Sequence, residues 1–295
     1  MKELNIKNNF LAIEEEYSNY KDSQVVVLSA PFEATVSFGH GTKNGPKGIL
    51  KSSHYVEFYD EEFDRELCFE KGICALAPMN FEKLSVKKSL DLIYKNVSQV
   101  LNDGKFPIVL GGEHSISAPI AKAFSEKYQN LSVLQFDAHS DLRNEYSGTP
   151  HSHASVMARV AEFNKNIVQI GIRAQCIDEA KFIKENNINT FYMRSIRSGK
   201  YGDWMREALN KLNENVYITF DVDGFDPSFM ANTGTPEPGG LFWDETIEFL
   251  KMVGKERNVV GFDVVELAPV KANPSPDFIA AKLTYKLLNC AFQNK

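Results

Sequence analysis

Two hydrophobic patterns alternate along the chain. Short, nearly continuous apolar runs fall at residues 24–31, 106–110, 131–136, 166–173, 215–220 and 259–265, with a shorter candidate at 190–193. They are too short for helices and lack the polar alternation of a half-exposed strand, so they predict strands buried on both faces. Between them, apolar residues recur at helical spacing. Leu90, Leu92, Ile93, Val97 and Val100 mark a helix over 89–101, which Asp103 and Gly104 end. Similar patterns predict helices over 116–128, 153–163, 178–185, 203–212, 244–253 and 276–292, and a short one over 47–51 after Pro46. A polar, amphipathic lead-in precedes the first strand. Strands alternating with helices imply βαβ crossovers. The expected fold is α/β: one domain over residues 1–295, a three-layer α/β/α with a mostly parallel central sheet.

Four of the predicted strands run directly into charged or histidine groups. The strand over 106–110 leads into Gly111-Gly112-Glu113-His114-Ser115, and that over 131–136 into Asp137-Ala138-His139-Ser140-Asp141. The strand over 215–220 leads into Asp221-Val222-Asp223-Gly224-Phe225-Asp226-Pro227, and the last ends in Glu266. Parallel sheets bind ligands beyond the carboxyl ends of their strands. An extended backbone sends alternate side chains to one side, which predicts a shared face for Asp137, His139 and Asp141, and another for Asp221 and Asp223. Desolvating an unpaired carboxylate is expensive, and a cation is the simplest remedy. One such strand end is also compatible with aspartates that cap a turn beside a core histidine. Four independent ones make that coincidence hard to sustain.

Pooled, these ends supply four aspartates and two histidines, more anionic charge than one divalent ion needs. Two divalent ions would balance four carboxylates and leave room for a shared hydroxide. An oxygen-rich donor set without thiolate favours Mn²⁺ over Zn²⁺ or copper. Such a pair, about 3.5–4 Å apart, generates hydroxide at neutral pH for attack on a planar electrophilic carbon.

Composition narrows the alternatives. Apolar residues make up 43 % and charged residues 24 % of the chain, an ordinary globular balance. The net charge of −6 is spread without a basic patch, which argues against nucleic acid as a partner. The first residues lack a signal-peptide core and no run reaches membrane-spanning length, so a soluble, cytoplasmic protein without membrane partners is expected. Cys68, Cys74, Cys176 and Cys290 form no close pair and read as reduced and buried. His40 and His54 lack acidic neighbours at ligand spacing and read as structural or surface groups.

These strand-end motifs, together with Ser152-His153-Ala154-Ser155, Thr233-Gly234-Thr235-Pro236-Glu237-Pro238-Gly239-Gly240-Leu241 and Asp263-Val264-Val265-Glu266, occur in an order that resembles the ureohydrolase family of arginases and agmatinases. The resemblance spans about residues 39–269. It implies an arginase-like fold and two Mn²⁺ per chain held by His114, Asp137, His139, Asp141, Asp221 and Asp223. It further implies His153 as proton shuttle, Glu266 as the carboxylate gripping a guanidinium, Thr235 near the pocket, and a homo-oligomer, trimeric or hexameric. His151 lies two residues from His153 and rivals it, but Ser-His-Ala-Ser is the part that resembles the family. Asp226, before Pro227, reads as a turn former. Glu113 and Asp263 read as acceptors that orient ligands.

Substrate choice rests on fewer residues. The loop over 143–150 lacks the Asn- and Thr/Ser-rich run that serves the α-amino acid end in arginases. Glu145 and Glu237 suit a substrate cationic at both ends, such as agmatine, giving putrescine and urea in polyamine biosynthesis. An inward Arg143 would admit 4-guanidinobutyrate instead, and aminopropylagmatine or arginine are further guanidines. From other classes, a single-zinc deacetylase-like enzyme is opposed by Asp141 and Asp223. A catalytically silent structural relative is opposed by the filling of every expected position.

Overall fold

The computed structural model describes residues 2–294. Its strands are β1 (Val25–Ala30), β2 (Ile73–Ala75), β3 (Phe106–Gly111), β4 (Leu131–Phe136), β5 (Ile167–Ile172), β6 (Asn189–Tyr192), β7 (Asn215–Asp221) and β8 (Asn258–Val265). They form one sheet in the order β2-β1-β3-β8-β7-β4-β5-β6, and every pairing is parallel.

The continuous apolar runs are buried on both faces, as their pattern predicts. Along β1, Val25 and Val27 enter one core while Val26, Leu28 and Ala30 enter the other. Helices Gly45–Ser53, Trp204–Leu209, Trp243–Glu256 and Ser275–Ala291 cover the first face; Val86–Asn102, Ser117–Lys127, Val156–Ala161 and Ile177–Asn186 cover the second. The result is three layers, α/β/α. Among the described residues no helix is long and apolar enough to cross a membrane.

The order of the strands is what builds a site. The chain goes from β3 to β4 across a gap that β8 and β7 later fill. The four strands that run into His114, Asp137, Asp221 and Glu266 thereby become neighbours in the middle of the sheet, with all their carboxyl ends at one edge. Close approach at that edge needs small residues. A Cβ on Gly112 would lie 2.0 Å from the Phe32 carbonyl oxygen, a position only glycine can fill.

Several local expectations change. The lead-in is not peripheral: Phe10, Leu11 and Ile13 are fully buried in the first core. Three-residue β2 is too short to leave a periodic signature in the sequence. The helix expected over 153–163 begins as the 3₁₀ turn His153–Ser155 and is α-helical only over Val156–Ala161. Cys68, Cys74 and Cys290 are free and buried, whereas Cys176 is half-buried at the start of helix Ile177–Asn186.

The C-terminal helix Ser275–Ala291 packs against Gly45–Ser53 and carries a buried cation. Lys286 Nζ donates to Asp60 Oδ1 at 2.6 Å and Glu62 Oε1 at 2.9 Å, with Lys286 and Asp60 both nearly inaccessible. Lys286→Met keeps the stem's packing but leaves Asp60 charged and uncompensated. It is expected to cost about 3–5 kcal/mol in chemical unfolding, with part of the loss recovered when Asp60→Asn is added.

Candidate metal centre

His114 sits in the 3₁₀ turn directly after β3 and is almost fully buried. Its Nε2 lies 2.9 Å from Thr219 Oγ1. Thr219 spends its own proton on Asp263 Oδ1 at 2.8 Å, so it accepts from His114, and Nε2 carries the hydrogen. The other nitrogen, Nδ1, then points a lone pair into the interior. There it meets Asp137 Oδ2 at 3.1 Å, Asp141 Oδ2 at 3.1 Å and Asp221 Oδ2 at 3.4 Å, and it has no hydrogen-bond partner. A buried lone pair facing three carboxylate oxygens is a donor set for a hard divalent cation.

A second cluster adjoins it. His139 Nδ1 lies 3.0 Å from Asp223 Oδ2 and 3.6 Å from Asp137 Oδ1. Asp137 therefore turns one oxygen to each cluster, and its ligand atoms lie within metal-holding range of His114 and Asp141 on one side and of His139 and Asp223 on the other. All six residues expected as ligands come together, and the donor chemistry fits a pair of divalent cations.

They do not converge along an extended strand, however. β4 stops at Phe136, and Asp137 Oδ1 accepts the His139 N–H at 2.6 Å, closing a turn. Asp221 Oδ1 likewise accepts the Asp223 N–H at 2.8 Å. Asp141 is left-handed, with φ 54°, a conformation aspartate tolerates better than most residues. Its carbonyl accepts from Met157 and Ala158 N–H, so the start of the next helix holds it there. Side-chain-to-backbone turns, rather than strand alternation, aim these groups.

A further layer holds the carboxylates in register. Thr190 donates to Gln169, Gln169 to Gln135, and Gln135 Nε2 to Asp137 Oδ2 at 2.7 Å. Arg173 staples the loops: its guanidinium donates to the carbonyls of Gly171, Asp223, Gly224, Phe225 and Glu237. Asp226 forms a turn, accepting from Ser228, Gly239 and Gly240 N–H. Gln135, Gln169 and Arg173 lie inside apparently ordinary strands or at their ends, and no motif marks them in the sequence.

The clusters open onto a cavity of about 280 Å³ lined in part by His153, Thr235, Glu237 and Glu266. His151 is not among its lining residues; its N–H donates to Thr149. Glu266 is buried and left-handed, with φ 64°. Its Oε1 accepts the His114 N–H at 2.6 Å, which leaves Oε2 for a ligand. Asp263 does orient His114, through Thr219. Glu113 contacts no expected ligand with its side chain. It accepts instead from Ala34 and Thr35 N–H and from the Thr35 and Ser115 hydroxyls, because the loop after β1 crosses over it. Arg143, expected as a possible inward cation, does line the cavity; its Nε lies 3.8 Å from Glu179 and its guanidinium stacks over Tyr146.

Charge at this density perturbs several of these groups. Burial works against an imidazolium at His114, but the facing carboxylates of Asp137, Asp141 and Asp221 outweigh it and raise its pKa well above the usual histidine range. Burial, reinforced by Asp137, pushes Asp141 up to about 7. Burial also raises Asp221, with help from Asp223 and Asp137.

The sequence matches the Arginase family over residues 23–290. The chain belongs to the arginase family. It is 38 % identical over 280 residues to the N(1)-aminopropylagmatine ureohydrolase of Synechocystis sp., covering 93 % of this chain and 91 % of that protein. It is 35 % identical over 273 residues to the agmatinase of Bacillus anthracis, covering 90 % of each. The agmatine ureohydrolase of Thermoplasma volcanium superposes with a TM-score of 0.85 at 29 % identity, over 99 % of this chain and 95 % of that one. The chain is thus an arginase-family hydrolase of a guanidino C–N bond.

Protons and metal compete for this arginase-family centre. A carboxyl held at about 7 is protonated at lower pH and must release that proton to bind a cation. Titration of the metal-free protein with Mn²⁺ by calorimetry is expected to show affinity falling up to about tenfold per pH unit below 7 for each such group, with proton release into the buffer. Affinity unchanged between pH 6 and pH 8 would contradict this.

Proposed function

We propose that this ureohydrolase cleaves agmatine to putrescine and urea, with two manganese ions held by His114, Asp137, His139, Asp141, Asp221 and Asp223. The observation that carries the substrate reading is the charge of the cavity wall. Asp141, Glu179, Asp221, Asp223, Glu237 and Glu266 line it together with Arg143, the cation that would welcome a substrate carboxylate, and Arg143 is offset by Glu179. A guanidine with a second positive charge suits that wall; the α-carboxylate of arginine does not.

When bound, two divalent cations would lower the pKa of water so that hydroxide is available near neutral pH to attack the guanidinium carbon. Glu266 holds the planar cation by charge and hydrogen bonding through Oε2, since Oε1 is already engaged. Thr235 adds a hydroxyl to the same wall. His153 delivers the proton that the leaving amine needs as the C–N bond breaks. Burial pulls its pKa down from the ordinary histidine value, while Glu113 opposes that shift. A second reading, aminopropylagmatine, is favoured by the Synechocystis relative. It shares the cationic far end and differs in length.

Urea release from agmatine, aminopropylagmatine, 4-guanidinobutyrate and arginine, with Mn²⁺ present, decides among these. Agmatine is expected to exceed arginine by at least about tenfold in kcat/KM, a difference of about 1.4 kcal/mol. Equal turnover of arginine would overturn the reading. Glu266→Gln turns its amide oxygen to the His114 N–H and its NH₂ toward the substrate's own N–H groups. It is expected to keep both metals yet lose about 10²-fold or more in kcat/KM. His153→Asn is expected to keep the metals and lose about 10²–10⁴-fold in kcat, whereas His151→Asn leaves kcat within about threefold.

A further inference from the structure

The hydroxyl of Thr35 has a complete set of partners. Glu113 Oε1 lies 2.9 Å from Thr35 Oγ1, the His153 backbone nitrogen 3.0 Å, and His153 Nδ1 3.1 Å. A threonine hydroxyl donates once and accepts twice. Its one proton goes to Glu113, because a lone pair facing a carboxylate oxygen at that distance would be repulsive. The two acceptor positions then take the His153 N–H and His153 Nδ1. From this count we infer that Thr35 is a positioning residue, which keeps the hydrogen of His153 on Nδ1 in both the neutral and the protonated ring and so reserves Nε2 for the travelling proton.

The rest of the surroundings agree with this placement. Glu113 is fully buried and satisfied by four donors, which fixes the loop that carries Thr35. Tyr146 packs edge-on against the imidazole, with ring centroids 5.7 Å apart and planes at 78°, so the ring is held from a second side. Among the described residues no hydrogen bond reaches Nε2, and His153 lines the cavity. With the hydroxyl removed, the ring loses its tautomer preference and part of its orientation. A fraction of molecules then presents Nδ1 where Nε2 should be. The metals and the Glu266 carboxylate are untouched by that loss.

This inference rests on His153 being the proton carrier, and the test separates the two. Thr35→Val removes the hydroxyl at nearly constant shape; Thr35→Ser keeps it. With agmatine and Mn²⁺, Thr35→Val is expected to lower kcat about 10–100-fold, part of the 10²–10⁴ that a whole acid–base group supplies. KM should stay within about threefold and metal content at two per chain. Thr35→Ser should restore most of kcat. In a double-mutant cycle, Thr35→Val added to His153→Asn should cost less than about threefold more, because the hydroxyl acts only through that ring. If His153→Asn itself is nearly silent, the proton-carrier reading fails. If His153→Asn is impaired while Thr35→Val keeps full kcat, or Thr35→Ser is no better than Thr35→Val, the positioning role is overturned. Should Thr35→Val not fold, Thr35→Ala, which leaves space rather than a clash, is read in the same way.

Discussion

The structure depends on holding Asp137, Asp141, Asp221, Asp223 and Glu266, all nearly inaccessible to water, at one edge of a parallel sheet. Each ionised carboxylate taken from water costs several kcal/mol if nothing compensates it. The fold compensates in two directions. Outward-facing oxygens accept from His139, Ala138, Asp223 and His114 N–H groups and from Gln135, which fixes their orientation without neutralising them. Asp221, Asp223 and Glu266 each have one oxygen satisfied in this way and the other left to the interior. Asp137 accepts on both oxygens while turning each toward a cluster, and the Asp141 side chain faces His114. Carboxylate charge left uncompensated by the fold in this way is what a pair of cations would neutralise.

Two of the chain's left-handed non-glycine residues belong to the site. Asp141 and Glu266 are non-glycine residues in the left-handed region, which costs on the order of 1–2 kcal/mol each. Neither is free to relax. Asp141 is pinned by the two N–H groups its carbonyl accepts, and Glu266 by its N–H to Gly112 and its side chain to the His114 N–H. At both positions the left-handed backbone carries a buried side chain that reaches the His114 segment.

Two parts of the site have different origins. The candidate metal-holding part comes from the ends of three central strands, β3, β4 and β7, whose apolar flanks are locked in two cores. The rest of the cavity wall comes largely from loops that include Val36 to Gly39, Arg143 and Tyr146, and Gly234, Thr235 and Glu237. A scaffold of this kind keeps its chemistry while the loops vary the guanidine it accepts. Two of the relatives are named as ureohydrolases of different guanidines, aminopropylagmatine and agmatine.

The sequence by itself determined the α/β class and seven of the eight strands, and it marked the acidic and histidine groups at four strand ends as candidates, whereas His153 entered only through the resemblance to a family. It could do so because buried strands read as apolar runs, and because acidic groups just past such runs have few physical explanations. The three-residue β2 and the buried Phe10, Leu11 and Ile13 escaped it, being too short or too irregular to set up a period. Only the tertiary structure decided that β3, β8, β7 and β4 are neighbours, since strand order depends on crossovers that leave no local mark. It alone showed that turns aim Asp137 and Asp223, that Arg143 sits on the cavity wall beside Glu179 and Tyr146, and that Glu113 serves Thr35 rather than His114. Each of these depends on a hydrogen bond or packed contact between residues far apart in the chain, and no pattern along the chain encodes such a pairing.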